Sequence, residues 1–303
     1  MERTDILYSF IIPHHNSPEL LDRCLSTIPQ RSDIEIIVVD DNSSEDKRPI
    51  CQRTDTTILY IDKEHTKGAG RARNTGLAKA NGKWLLFVDC DDMLAENAIL
   101  AMDKQKDSEH DIIFFCISAV NSDTLEPIER CGVFNDYVHN FRKRKPCSEN
   151  TLRYNHLVPW GKMIRREMVV ANNIAFDEVR YSNDIMFAGK CGLNAKSIGV
   201  SEDVLYTVTH REGSLVTQVS KESVYCRHEV LMRRIKLLMQ HKKYLYINAP
   251  LSYITYSKQH YDSEFVDGLK SCARDNGYTN SKLYLLQLLY LVGCGIRHAC
   301  AKL

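Results

Sequence analysis

No two of the eleven cysteines lie closer than the six positions between Cys294 and Cys300. There is therefore no C-x-x-C pair, which disfavours a zinc ribbon or a thioredoxin-type redox site. No run of about 18 uninterrupted apolar residues occurs, so a membrane-crossing helix is not expected. Neither sign of charge dominates, with 40 Lys and Arg against 39 Asp and Glu. Bulk charge thus gives no reason to expect nucleic acid as a partner. Repeats and low-complexity tracts are missing. A chain that is 44% hydrophobic and 26% charged has the composition of a soluble globular protein rather than a disordered or fibrous one. The charged start, Met1 to Asp5, runs straight into a strand-like segment with no secretory leader. The cysteines accordingly read as reduced thiols in a cytoplasmic protein.

What is present is unevenly spread. Residues 221–303 carry 13 Lys and Arg against 6 Asp and Glu, whereas residues 1–220 carry 27 against 33. A basic end on an acidic body suits either a tail facing an anionic surface, such as a membrane, or a solvated helical region. The 303 residues suffice for one core domain plus an appendage.

The first half alternates short apolar runs with helical patterns. Tyr8 to Ile12 is a buried strand stopped by Pro13. Ser17-Pro18-Glu19 starts a helix, with a cap, a proline at the first position and an early acid. Strands are expected at 34–39, 57–61, 83–88 and 111–116, with helices at 71–80 and 95–104. Strands that do not alternate in polarity, separated by helices, indicate an α/β fold with a mostly parallel sheet covered on both faces. The stretch 118–160 reads as irregular, 161–172 and 183–193 as helical, 197–200 and 204–209 as strands, and 221 onward as helical.

Ligands in such sheets bind at the carboxyl ends of the strands. Three polar loops fall there. Asp89 and Asp91, one residue apart after the fourth strand, offer hard oxygen ligands suited to Mg2+ or Mn2+, although acids after a strand can equally cap the next helix. Asp40-Asp41 follows the second strand and can accept from ribose hydroxyls or a base N–H. Pro13-His14-His15-Asn16 ends the first strand, where an imidazole could stack on a base. Lys67-Gly68-Ala69-Gly70-Arg71-Ala72-Arg73 puts two guanidiniums at a helix start, which suits phosphate oxygens. This segment lacks the G-K-[ST] ending of a P-loop. It also lacks the third glycine of a dinucleotide fingerprint, since position 73 is Arg, so a Rossmann dehydrogenase is a weak alternative.

Taken together, Ser9 to Asn16, Val38 to Ser43, Ala72 to Leu77 and Phe87 to Asp92 resemble, in order, the motifs of family 2 glycosyltransferases of the GT-A fold. The resemblance covers residues 1–110. It implies a GT-A catalytic domain over 1–220, with a nucleotide half to about 110 and an acceptor half after it, and a helical C-terminal region over 221–303. It implies a nucleotide-sugar donor, usually UDP-linked, a divalent metal, Mn2+ or Mg2+, and inversion by direct displacement. By motif position Asp41 would contact the uracil, Asp89 the ribose and Asp91 the metal. Pro13, His15, Lys67, Arg71, Arg73 and Cys90 would lie around the nucleotide. His15 stands where the family commonly has Tyr.

Displacement at a sugar carbon needs a carboxylate to take the acceptor proton. The segment Tyr181-Ser182-Asn183-Asp184 resembles the family's acidic pair at a helix start, with Asn183 in place of the first acid and Asp184 left as the base. Trp160-Gly161-Lys162 resembles its acceptor-side Trp–Lys segment. Thr209 to Ser214 resembles the loop that closes over the diphosphate, with His210 as a further metal ligand and Arg211 on phosphate. The acceptor would be a glycan or lipid-linked oligosaccharide of capsule, lipopolysaccharide or O-antigen. The apolar stretch Leu283 to Ile296 is too short to span a bilayer but suits an interfacial helix, a peripheral contact at the inner face of the cytoplasmic membrane, or a core helix. The basic run Arg142-Lys143-Arg144-Lys145 reads as a solvated loop, or alternatively as a contact for anionic lipid or acceptor. Rival readings are a non-catalytic binding module of the same fold, and a sugar nucleotidyltransferase.

Overall fold

A computed structural model describes residues 6–50, 53–62, 64, 68–211 and 219–302. In chain order, β1 (Tyr8–His14) leads into α1 (Pro18–Ser26), β2 (Ile34–Asp41) and β3 (Thr56–Ile61). Then come α2 (Ala69–Lys79), β4 (Trp84–Phe87), the two-residue β5 (Met93–Leu94), α3 (Ala98–Asp103) and β6 (Ile112–Asn121). The second half contains α4 (Gly132–Arg142), α5 (Ser148–Asn155), β7 (Lys162–Arg165), α6 (Arg166–Ala171), α7 (Ile185–Asn194) and β8 (Ile198–His210). The C-terminal region is helical: α8 (Lys221–Gln240), α9 (Ser252–His260), α10 (Ser263–Asp275) and α11 (Asn280–Lys302).

The eight strands form one sheet in the order β3-β2-β1-β4-β7-β6-β8-β5. β1 pairs in parallel with both β2 and β4, so the chain reverses its winding direction beside β1. Carboxyl ends flanking such a reversal leave a crevice. Here they are His14, Asp41 and the turn after Phe87. The apolar strands are continuous because each face has its own core. Tyr8, Phe10 and Ile12 join Ile36, Val38, Trp84 and Leu86 on one side, while Ile11 joins Ile37, Val39, Leu85 and Phe87 on the other. A third core lies in the C-terminal region, built by Leu231, Met232, Ile235, Leu238, Leu269, Leu283 and Leu286.

Several expectations need correction. The two strands expected at 197–200 and 204–209 are one, β8. The polar Ser201-Glu202-Asp203 that divides the pattern sits where the pairing with β6 slips, Phe115 opposing Ser201 and Cys116 opposing Val204. The stretch 118–160 is not irregular but holds the end of β6 and two helices. Their starts carry no side-chain cap, Cys131 before α4 and Cys147 in a left-handed conformation before α5, so the usual start signal is missing. The 161–172 segment begins as β7, held between β4 and β6, and only then turns helical. α11 is 23 residues, long and apolar enough to cross a membrane by length and composition, with 17% of its apolar window buried.

Candidate active site

The end of β1 is fixed before any ligand is considered. The Ser17 backbone N–H donates to His14 Nε2 at 3.2 Å, so His14 carries its proton on Nδ1 and gives it to Asp40 Oδ1 at 2.8 Å. Ser43 adds its hydroxyl to Oδ1 and its N–H to Oδ2 of the same carboxylate. Asp40 is therefore consumed in joining the two loops, leaving Asp41, 8% exposed, as the neighbouring acid at the end of β2. His15 is exposed. Its Nδ1 donates to the Asp41 carbonyl at 2.9 Å, and its Nε2 accepts from Asn16 at 3.0 Å. Asn16 and Asn42 turn with φ of 52° and 58°, the left-handed region that asparagine tolerates. Pro13 is buried within β1, in register with Val39.

The turn after β4 is gripped from three directions. Arg23 of α1 donates to the Asp91 carbonyl and to the Ser122 carbonyl, each at 2.8 Å. Thr209 of β8 gives its hydroxyl to the Asp91 carbonyl at 2.6 Å and its N–H to Asp92 Oδ1 at 2.6 Å. Tyr206 donates to Asp92 Oδ2 at 2.7 Å and accepts from the Asp89 N–H at 3.0 Å. Asp92 is thus an anchor for the turn. Burial, then the Asp89 charge, pushes the Asp91 carboxyl above the usual range, against a smaller pull from Arg211 and Arg23. Asp92 is pushed up further by burial, Asp89 and Asp91. The Cys90 thiol is raised by burial and by the same two acids, and it receives a backbone hydrogen bond from His15 that ties this turn to the end of β1.

Arg73 of α2 connects this turn to the second half. Its Nη2 donates to Asp89 Oδ1 at 2.5 Å and its Nη1 to Asn183 Oδ1 at 2.7 Å. α2 can come this close because of Gly70, where an added Cβ would stand 2.1 Å from the Asp177 carbonyl oxygen. Asp184 follows Asn183 as the residue before α7. Burial raises its carboxyl pKa, Arg73 lowers it, Asp89 raises it and Lys162 lowers it. Asp184 therefore shares one electrostatic environment with the Asp89 turn.

The remaining expected residues divide. Trp160 is half-buried beneath the turn, stacked flat on Tyr206 at 5.2 Å and edge-on to Phe134 at 5.6 Å. Lys162 is 4% exposed and gives its ammonium to the His156 carbonyl at 3.0 Å, and burial brings its pKa down to about 7. Its charge acts on Asp184. Arg71 donates to Glu178 Oε1 at 3.0 Å. Arg211 is exposed and acts on Asp91 by its charge. His210 Nδ1 meets the Arg130 guanidinium. Lys67, and Glu212 to Ser214 of the expected closing loop, lie outside the described residues. Arg23, Tyr206 and Asp92 carry the turn, yet nothing local in the sequence marks Arg23 or Tyr206, because each acts far along the chain.

Among the described residues no three His, Cys, Asp or Glu side chains are gathered as a metal cage. The donor chemistry still fits a hard cation. Burial and then the Asp89 charge hold the Asp91 carboxyl above its usual range, and Mg2+-like ions use one or two protein carboxylates plus phosphate oxygens.

The family model described as Glycosyl transferase family 2 matches residues 9–169. Glycosyltransferase GlyG of Streptococcus pneumoniae is 27% identical over 233 residues, which span 69% of this chain and 73% of GlyG. The poly(ribitol-phosphate) beta-N-acetylglucosaminyltransferase TarS of Staphylococcus aureus is 28% identical over 289 residues, 90% of this chain but 46% of TarS. The crystal structure of TarS 1–349 in complex with UDP-GlcNAc aligns with a TM-score of 0.64 at 21% identity, covering 89% of this chain and 80% of that one. That likeness establishes a shared fold.

Proposed function

The chain belongs to family 2 of the glycosyltransferases, and from that membership we propose that it moves a hexose or N-acetylhexosamine from a UDP-linked donor to a hydroxyl of a growing cell-surface glycan, with inversion at the anomeric carbon. The observation that carries the reading is Arg73. A single guanidinium holds Asp89 of the donor turn and Asn183 beside Asp184. This link between the turn and the residue beside Asp184 supports a reading in which donor and base are held in register.

In this reading Asp41 and Asp89 bind the uridine, His15 lies over the base, and Arg211 faces the diphosphate. Asp184 accepts the acceptor's hydroxyl proton while that oxygen bonds to the anomeric carbon and the diphosphate departs with the bonding pair. Burial makes Asp184 a stronger base than a solvated carboxylate. Mn2+ or Mg2+ beside Asp91 would supply charge neutralisation for the leaving group. Trp160 supports the turn through Tyr206, and Lys162 sets the potential at Asp184. The likeness to TarS, an N-acetylglucosaminyltransferase, favours UDP-N-acetylglucosamine among the donors.

A donor screen tests this. UDP-N-acetylglucosamine or UDP-glucose with Mn2+ should raise the melting temperature and give transfer to a glycan acceptor. Transfer should fall as pH drops through a midpoint above the ordinary Asp value of about 3.9, because the base must be ionised. Pyrophosphate release from a nucleoside triphosphate and a sugar phosphate, without transfer from any UDP-sugar, would replace the proposal with a nucleotidyltransferase.

A further inference from the structure

α11 has no acidic side chain from Asn280 to Lys302, while Lys282, Arg297 and Lys302 lie on it. Its inner side is narrow. Leu283, Leu286 and Gly293 are buried, and a Cβ at Gly293 would meet the Leu245 carbonyl oxygen at 2.6 Å. The outer side is bare. Tyr284, Leu285, Leu288, Leu291 and Val292 are each more than half exposed, and Ile296 is 38% exposed. At helical spacing these six side chains fall within one arc of about 140°.

The flank of the same helix is basic. Between α11 and the α4–α5 connection lies a cleft of about 190 Å³ lined by Lys145, Ser148, Thr151, Arg297 and His298, with no acid in its wall. Lys145 donates to the Ala301 carbonyl, while the Arg297 guanidinium reaches from the cleft wall over the Tyr246 ring at 5.7 Å and donates to Cys294 Sγ at 3.2 Å. Within the basic run, Arg142, Lys143 and Arg144 are exposed as a solvated segment is, and Lys145 meets the end of α11.

We propose that this face docks on an anionic lipid bilayer, the six apolar side chains entering the interfacial layer and the cleft taking a lipid phosphate. An apolar arc bordered by basic side chains is the pattern of a helix lying in the interface. Because the inner side is packed on the third core, the helix lies along the membrane instead of crossing it. A second copy of this face is the poorer occupant, since it offers basic flanks no opposite charge. Anionic headgroups complement the local excess of Lys and Arg over residues 221–303.

Sedimentation of the full chain with vesicles of phosphatidylcholine alone, and of phosphatidylcholine mixed with phosphatidylglycerol, reads this without donor or acceptor. A failure of the transfer reaction therefore leaves the result interpretable. Binding should be confined to the anionic vesicles and weaken with salt. Leu288→Glu and Val292→Glu should each reduce partitioning at least about tenfold at an unchanged melting temperature, since both positions are exposed. Lys145→Ala with Arg297→Ala should reduce it as well. Three results would overturn the proposal: no sedimentation, equal binding to neutral vesicles, or a concentration-dependent dimer that Leu288→Glu dissolves.

Discussion

Asp91 illustrates how a residue can weaken the fold that presents it. Its carboxyl pKa is raised in the folded chain by burial and by Asp89. A raised carboxyl pKa means that the folded state binds the proton more tightly than the unfolded one. The associated stability is present at low pH and is lost as pH rises through the folded pKa. At neutral pH the ionised pair therefore costs stability. Asp91→Asn should raise the melting temperature at pH 7 by a few degrees, an effect that shrinks toward acid pH. The same change should abolish the further rise that UDP and Mn2+ give the native chain. A scanning calorimetry series over pH measures both, and a lower melting temperature for the variant at pH 7 would refute the repulsion. Residues such as Asp89, Asp91 and Asp184 were legible because each follows a recognisable strand end or helix start. Asp40 was legible as an acid but not as a structural one, since its partners His14 and Ser43 become visible only when β1 and β2 pair. Lys162 was singled out because Trp160-Gly161-Lys162 resembles the family's Trp–Lys segment. Its burial depends on β7 lying between β4 and β6, which four residues of sequence do not announce.

Among the elements, the parallel strands β1, β2 and β4 were readable because burial on both faces leaves an unbroken apolar run, whereas the edge strand β3 is only partly buried. The helices α4 and α5 were not, because uncapped starts and polar faces carry no such mark. Their packing nonetheless depends on single positions. A Cβ at Gly192 of α7 would stand 2.1 Å from the Arg153 carbonyl oxygen of α5, a backbone atom that cannot yield cheaply. Gly192→Ala should therefore destabilise the protein by about 2 kcal/mol, read as a lower denaturant midpoint, and a neutral effect would mean that the two helices do not meet at this point. The docking of α11 has its own marker. Cys147 and Cys300 place their sulfurs 3.1 Å apart, on the residue before α5 and the last turn of α11. Mild oxidation by Cu(II)-phenanthroline should join these two thiols within one chain, detectable as a cross-linked peptide by mass spectrometry and absent in Cys300→Ser. Failure of the pair to join under conditions that oxidise exposed thiols would mean that α11 leaves this seat in solution.

At the scale of the molecule, an acidic body carries a basic C-terminal region. In the proposed reading the carboxyl ends of the sheet take the nucleotide-sugar and the C-terminal region offers a basic, partly apolar face to a membrane. The central claim is that chemistry occurs where Arg73 brings the donor turn and Asp184 together. Its most direct test is transfer from a UDP-sugar by Asp184→Asn, measured beside donor affinity for the same variant. Removing a positioned general base typically costs 10²–10⁴-fold in rate, so transfer should fall by about a thousandfold while UDP-sugar binding stays within about twofold of the native chain. Undiminished transfer by Asp184→Asn would place the proton acceptor elsewhere and contradict the account.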